Sequence, residues 1–163
     1  GLFEWIPEMS DPTFRDAWTT ADNIPEFVKR NGAEIGKTRT LFNFARANMK
    51  ANIYDQAVLE GVATSFPQTE DIIDNGTVNG MTANDIQKIL NLKHAWEFIL
   101  DTDVIQAQSD YYLLCHIAKL VNEGFFADGG RIRGVPVTIG GSTYKPPLPI
   151  ETIVKEKIQE ILT

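Results

Sequence analysis

Few residues of this 163-residue chain stand at spacings that support chemistry. Gly36-Lys37-Thr38 has the ending of a loop in which backbone N–H groups and a lysine cradle phosphates. Asn31 stands where that motif needs its first glycine, however, and no strand precedes it, so the stretch reads as the start of a helix. His94 and His116 fall on different expected helices, with no cysteine or second histidine at ligand spacing, which argues against a zinc site. His116, among apolar neighbours, reads as a core histidine with one hydrogen bond, and Cys115 beside it as a small buried hydrophobe. Glu60, taken alone, is a solvated glutamate at a helix end. No Ser, His and Asp grouping is identifiable from spacing, so the residues themselves give no complete active site and no metal ligands.

The stretch from Gly129 to Pro149, GGRIRGVPVTIGGSTYKPPLP, offers backbone rather than side-chain chemistry. Val135, Val137 and Ile139 alternate at period two, and Gly140-Gly141 supplies a bend, so a short β-hairpin is expected here. Pro146, Pro147 and Pro149 then enforce extended backbone without ladder donors. A lone hairpin is marginal in water, so this one is expected to lie against helices and to offer an exposed edge to another chain.

Those helices are expected along the rest of the chain. Starts are expected at Ser10 before Asp11-Pro12 and at Asn23 with Pro25, with a stop at Gly32. Residues 1–50 form an N-terminal helical segment in this reading, and 51–163 the main domain. Ile53, Ala57 and Val58 are expected to be buried, and Ser65 with Gln68 has capping-box spacing. Asn75-Gly76 and Asn79-Gly80 read as turns. Thr82 opens a helix with a wide apolar face that includes Ile86, Ile89, Leu90 and Trp96. A helix over 103–123, apolar on much of its circumference, is placed at the centre of the bundle. A last helix turns Ile153, Val154, Ile158 and Ile161 inward. The fold class is thus mainly α, a helical bundle with one β-hairpin.

Composition narrows the partners. A net charge of −7 argues against nucleic-acid binding, which needs a basic face. No apolar run approaches the roughly 20 residues of a membrane span, and the first residues lack a signal-peptide pattern. A single cysteine fits a reducing compartment, and a cytoplasmic location is expected.

Three stretches resemble the Fic family of protein adenylyl transferases. Tyr54 to Thr69 is similar to the family's inhibitory helix and the turn after it, a Ser or Thr, three residues, Glu, then Gly or Asn. Glu60-Gly61 match; Gln56 stands where the hydroxyl residue is usual. Asn91-Leu92-Lys93-His94-Ala95 resembles the Asn-His-Ala signature of an early helix. Gly130-Arg131-Ile132-Arg133, Val137 to Ser142 and Tyr144-Lys145-Pro146-Pro147 resemble the active-site flap and its proline-rich exit.

The resemblance covers about residues 51–162 and implies transfer of AMP from ATP, with Mg²⁺, to a hydroxyl of a target protein. It makes Glu60, followed by Gly61, the inhibitory carboxylate, which pairs with an arginine of the catalytic loop and displaces the ATP γ-phosphate. It makes Val135, Pro136, Val137, Thr138, Ile139 and Gly140 the flap that docks an extended target segment. The family's catalytic loop, His-Pro-Phe followed by an acidic residue and Gly-Asn-Gly-Arg, does not occur before Thr163. The chain therefore looks like the N-terminal portion of a Fic protein, whether by design, proteolysis or natural truncation. Alone it is expected to be inactive and to bind neither ATP nor Mg²⁺ tightly. Its expected partners are a target protein at the flap and a second copy of itself. The alternatives are a non-catalytic, antitoxin-like interaction module and an unrelated helical domain with a chance hairpin.

Overall fold

The computed structural model describes residues 39–163. The expected starts at Ser10 and Asn23, the stop at Gly32 and the Gly36-Lys37-Thr38 stretch lie outside the described residues. The chain divides after Asn48. Before that division residues 39–47 are helical; after it come six helices. They are α1 (Met49–Leu59), α2 (Phe66–Asn75), α3 (Ala83–Ile99), α4 (Thr102–Gln106), α5 (Tyr111–Val121) and α6 (Glu151–Leu162). Among the described residues no β-strand forms, so the domain is mainly helical. No helix in this range is long and apolar enough to cross a membrane.

Local hydrogen bonds start the helices where side chains can supply them. Ser65 Oγ accepts from the Gln68 N–H (3.4 Å) and Gln68 Oε1 accepts from the Ser65 N–H (3.0 Å), the reciprocal capping box that opens α2. At the other end Gly76, at φ 79°, turns its N–H onto the Ile72 carbonyl (2.8 Å). Thr82 caps α3 by accepting from the Asp85 N–H (3.1 Å).

The hub is α3, which packs against α1, α2, α4 and α5, while α6 packs chiefly on α5. Ile53 and Ala57 of α1, Val62 of the following turn, Ile72 and Ile73 of α2 and Ile89 of α3 make the buried core. Val58 is not among them; it faces solvent, because Ile53 and Ala57 already occupy the one face of α1 that meets α2 and α3.

Two further expectations are corrected. The helix over 103–123 is broken at residues 107–110. Asp101 caps the short α4, and Asp110 accepts from the Leu113 N–H (2.8 Å) to start α5 afresh. Restarted in this way, α5 lies beside α3 with no fully buried residue, and Leu114 is 42% exposed. It is a flank of the bundle rather than its centre. Helix α6 likewise buries nothing fully: Ile153 and Ile161 are exposed, and only Val154, Lys155, Ile158, Gln159 and Leu162 are half-covered. Lys155 carries much of its contact with α5, lying 4.9 Å from the Tyr111 ring centroid and 2.8 Å from the Glu151 carboxylate. The bond from Lys155 holds the Glu151 carboxyl below its usual range.

Candidate functional site

Glu60 sits in the turn that ends α1. Its N–H donates to the Gln56 carbonyl at 3.0 Å, and Gly61, at φ 77°, reverses the chain so that the Val62 N–H reaches the Ala57 carbonyl at 2.9 Å. The Glu60 side chain is exposed and has no ion pair among the described residues. The neighbouring Leu59 is 85% exposed, so this side of the turn faces away from the core that Ala57 and Val62 enter.

The stretch expected as a hairpin forms its turn but not its ladder. Gly141 has φ 74°, and the Ser142 N–H donates to the Ile139 carbonyl at 3.2 Å. Folding back from that turn would set Pro136 opposite Lys145 and Val135 opposite Pro146, so prolines on both arms remove the donors a ladder needs. A side chain takes the ladder's place. The Arg133 guanidinium donates from Nη1 to the Val135 carbonyl (2.8 Å) and from Nη2 to the Pro147 carbonyl (2.7 Å), joining the two arms at the base of the loop. Val135, Val137 and Ile139 are all exposed. The N–H groups of Val135, Val137, Thr138, Ile139 and Gly140 donate no hydrogen bond within the described residues.

Arg133 was legible only as part of a motif; its role as a clasp was not, because its acceptor at Pro147 lies fourteen residues away. Arg133→Gln is expected to loosen the loop, and chymotryptic cleavage after the exposed Tyr144 should then rise roughly three- to tenfold, the range of one or two lost hydrogen bonds. Unchanged cleavage would leave the loop closed by its turn alone.

Asn91, quoted above only as part of a signature, is fully buried. Its Nδ2 donates to the carbonyls of Val121 (3.1 Å) and Glu123 (2.8 Å), and its Oδ1 accepts from Gln87 Nε2 (2.8 Å). It therefore satisfies two carbonyls at the C-terminal end of α5, which no helical partner can reach, and ties that end to α3. A polar residue inside the wide apolar face of α3 was the signal for this role.

His116 is exposed rather than in the core, its ring tilted against Phe98 with centroids 4.5 Å apart. Cys115 is half-covered, and its thiol, one turn from Tyr111, raises the tyrosine's pKa. His116 and Cys115 line an open hollow of about 330 Å³ with Tyr112, Lys119, Asp128 and Gly130. Gly130, at φ 86°, is required there, since a Cβ would collide with the Cys115 carbonyl oxygen.

Neither Glu60 nor Gly61 hydrogen-bonds to residues 135–140 among the described residues; the expected inhibitory and docking positions are carried on separate elements. Among the described residues no three His, Cys, Asp or Glu side chains gather to hold a cation, and the sequence contains no His-Pro-Phe loop to bind the phosphates. Compared with models of known families and with curated proteins, the chain finds no match.

Proposed function

We propose that residues 51–162 are the N-terminal, regulatory and target-docking part of a Fic-type protein adenylyl transferase, in which the chemistry belongs to a loop this sequence does not contain. The observation that carries the reading is the loop at 133–147. It is clasped at its base by Arg133 and turned at its tip, yet the N–H groups of Val137 to Gly140 are unpaired within the described residues. Such a preformed extended edge suits pairing with an extended segment of a target protein. Glu60, exposed at the end of an anchored helix, is the inhibitory carboxylate in this reading, free to reach an arginine of the catalytic loop.

The test uses a protein in which the same reading frame runs on into a His-Pro-Phe motif. Glu60→Gly and Glu60→Gln are each expected to raise AMP transfer roughly ten- to hundredfold, because a charge-assisted hydrogen bond to arginine contributes about 1.5–3 kcal/mol. Folding stability should change little, since the side chain is exposed. An active protein in which neither variant alters transfer would reduce Glu60 to a surface glutamate, and a reading frame without the motif would remove the assignment to an enzyme.

A further inference from the structure

We propose that Gln56, through Trp96, is the positioning residue that fixes the last turn of α1 and with it Glu60, an inference that rests on the inhibitory role just given to Glu60. Helix α1 is attached unevenly. Near its N-terminus Lys50 reaches two carboxylates of α2, Asp74 at 2.8 Å and Glu70 at 3.2 Å. Its middle is held by the buried Ile53 and Ala57. Between Ala57 and the buried Val62 that apolar hold is interrupted, because Val58 and Leu59 both face solvent. There the Trp96 Nε1–H donates to Gln56 Oε1 at 2.9 Å, across forty residues of sequence.

That bond is well placed to act as a latch. Trp96 packs on the core, so its indole N–H is a donor fixed on α3, and a half-covered indole N–H seeks a partner. The Gln56 backbone carbonyl in turn accepts the Glu60 N–H. One residue thus holds the turn by its side chain and carries Glu60 on its main chain. The position where Fic sequences usually have a hydroxyl residue carries here a side chain long enough to reach the neighbouring helix. The hydroxyl oxygen of threonine or serine, two bonds nearer the backbone than Gln56 Oε1, could not span to Trp96 from the same backbone. Losing the bond frees the turn to open, which spreads the positions of the Glu60 carboxylate and weakens its competition for a distant arginine.

The experiment is amide and indole hydrogen exchange by NMR on the 163-residue chain. In Gln56→Leu the Trp96 indole N–H should shift and exchange faster. The amides of Glu60, Gly61 and Val62 should exchange about two- to tenfold faster, the range of one neutral hydrogen bond, while the amides of α2 keep their rates. Gln56→Glu retains an acceptor oxygen and should restore both signals. Trp96→Phe removes the donor but keeps a ring, and adding Gln56→Leu to it should accelerate the three amides no further. Unchanged rates at residues 60–62 in Gln56→Leu would overturn the proposal. So would an equal acceleration throughout α2 and α3, which is loss of stability rather than of position. None of these readouts involves AMP transfer. A silent Glu60→Gly therefore defeats the inhibitory reading and leaves the latch in place, whereas unchanged exchange defeats the latch and leaves the inhibitory reading.

Discussion

Replacing Ile89 with alanine is expected to destabilise the chain by about 2–5 kcal/mol, the range for deleting a buried aliphatic side chain and leaving a cavity. Ile89 is fully buried on α3, where α1 and α2 both pack against that helix. Its core neighbours Ile53, Ile72 and Ile73 are β-branched, with few rotamers available to fill the gap. Leu114→Ala is the control. It removes an equally apolar side chain from α5, but one already 42% exposed, and should cost less than about 1 kcal/mol. Denaturant midpoints of the two variants, compared at equal slope, measure the difference. A larger loss at Leu114 than at Ile89 would return α5 to the centre of the bundle.

That contrast also marks how far the sequence could be read. Where a feature is encoded by neighbours, it was legible. Ser65 and Gln68 lie three apart and bond each other as their spacing requires, and Thr82 opens α3 by accepting from the Asp85 N–H. Periodicity, by contrast, says which face of a helix is apolar but not whether anything covers that face. Leu114, Ile153 and Ile161 are apolar and exposed for this reason. The break before α5 had a local cause in Asp110, a good cap that competes with continuing the helix, but the apolar pattern on either side of it was continuous. In the hairpin two local signals conflicted, the β-propensity of Val135, Val137 and Ile139 against the missing donors of Pro136, Pro146 and Pro147. The donors decided the outcome. At the candidate site the pairs that matter join residues far apart, Arg133 to Pro147 and Gln56 to Trp96, and no spacing rule foretells them.

Asn91 provides the sharpest test of how α5 is held, and its two replacements should behave differently with pH. Asn91→Leu fills similar space but leaves the Val121 and Glu123 carbonyls without their donor, for an expected loss of about 2–4 kcal/mol. That loss should be nearly independent of pH, because leucine does not titrate. Asn91→Asp puts an oxygen where the amide nitrogen stands, facing two carbonyl oxygens in a fully buried site. Burial and those carbonyls both disfavour the ionised form, so the new carboxyl has a folded-state pKa above its unfolded value. A group shifted upward is best tolerated below its unfolded pKa, and the folded state is penalised as pH rises through the folded-state value. Once protonated, the carboxyl also regains one O–H donor for one of the two carbonyls. The loss in Asn91→Asp should therefore be on the order of 3–5 kcal/mol at neutral pH and shrink steadily towards pH 4. Urea unfolding of both variants and the parent chain across that range measures it. Parallel curves for the two variants would mean that water, not Asn91, satisfies the end of α5. The joint between α3 and α5 would then rest on packing alone.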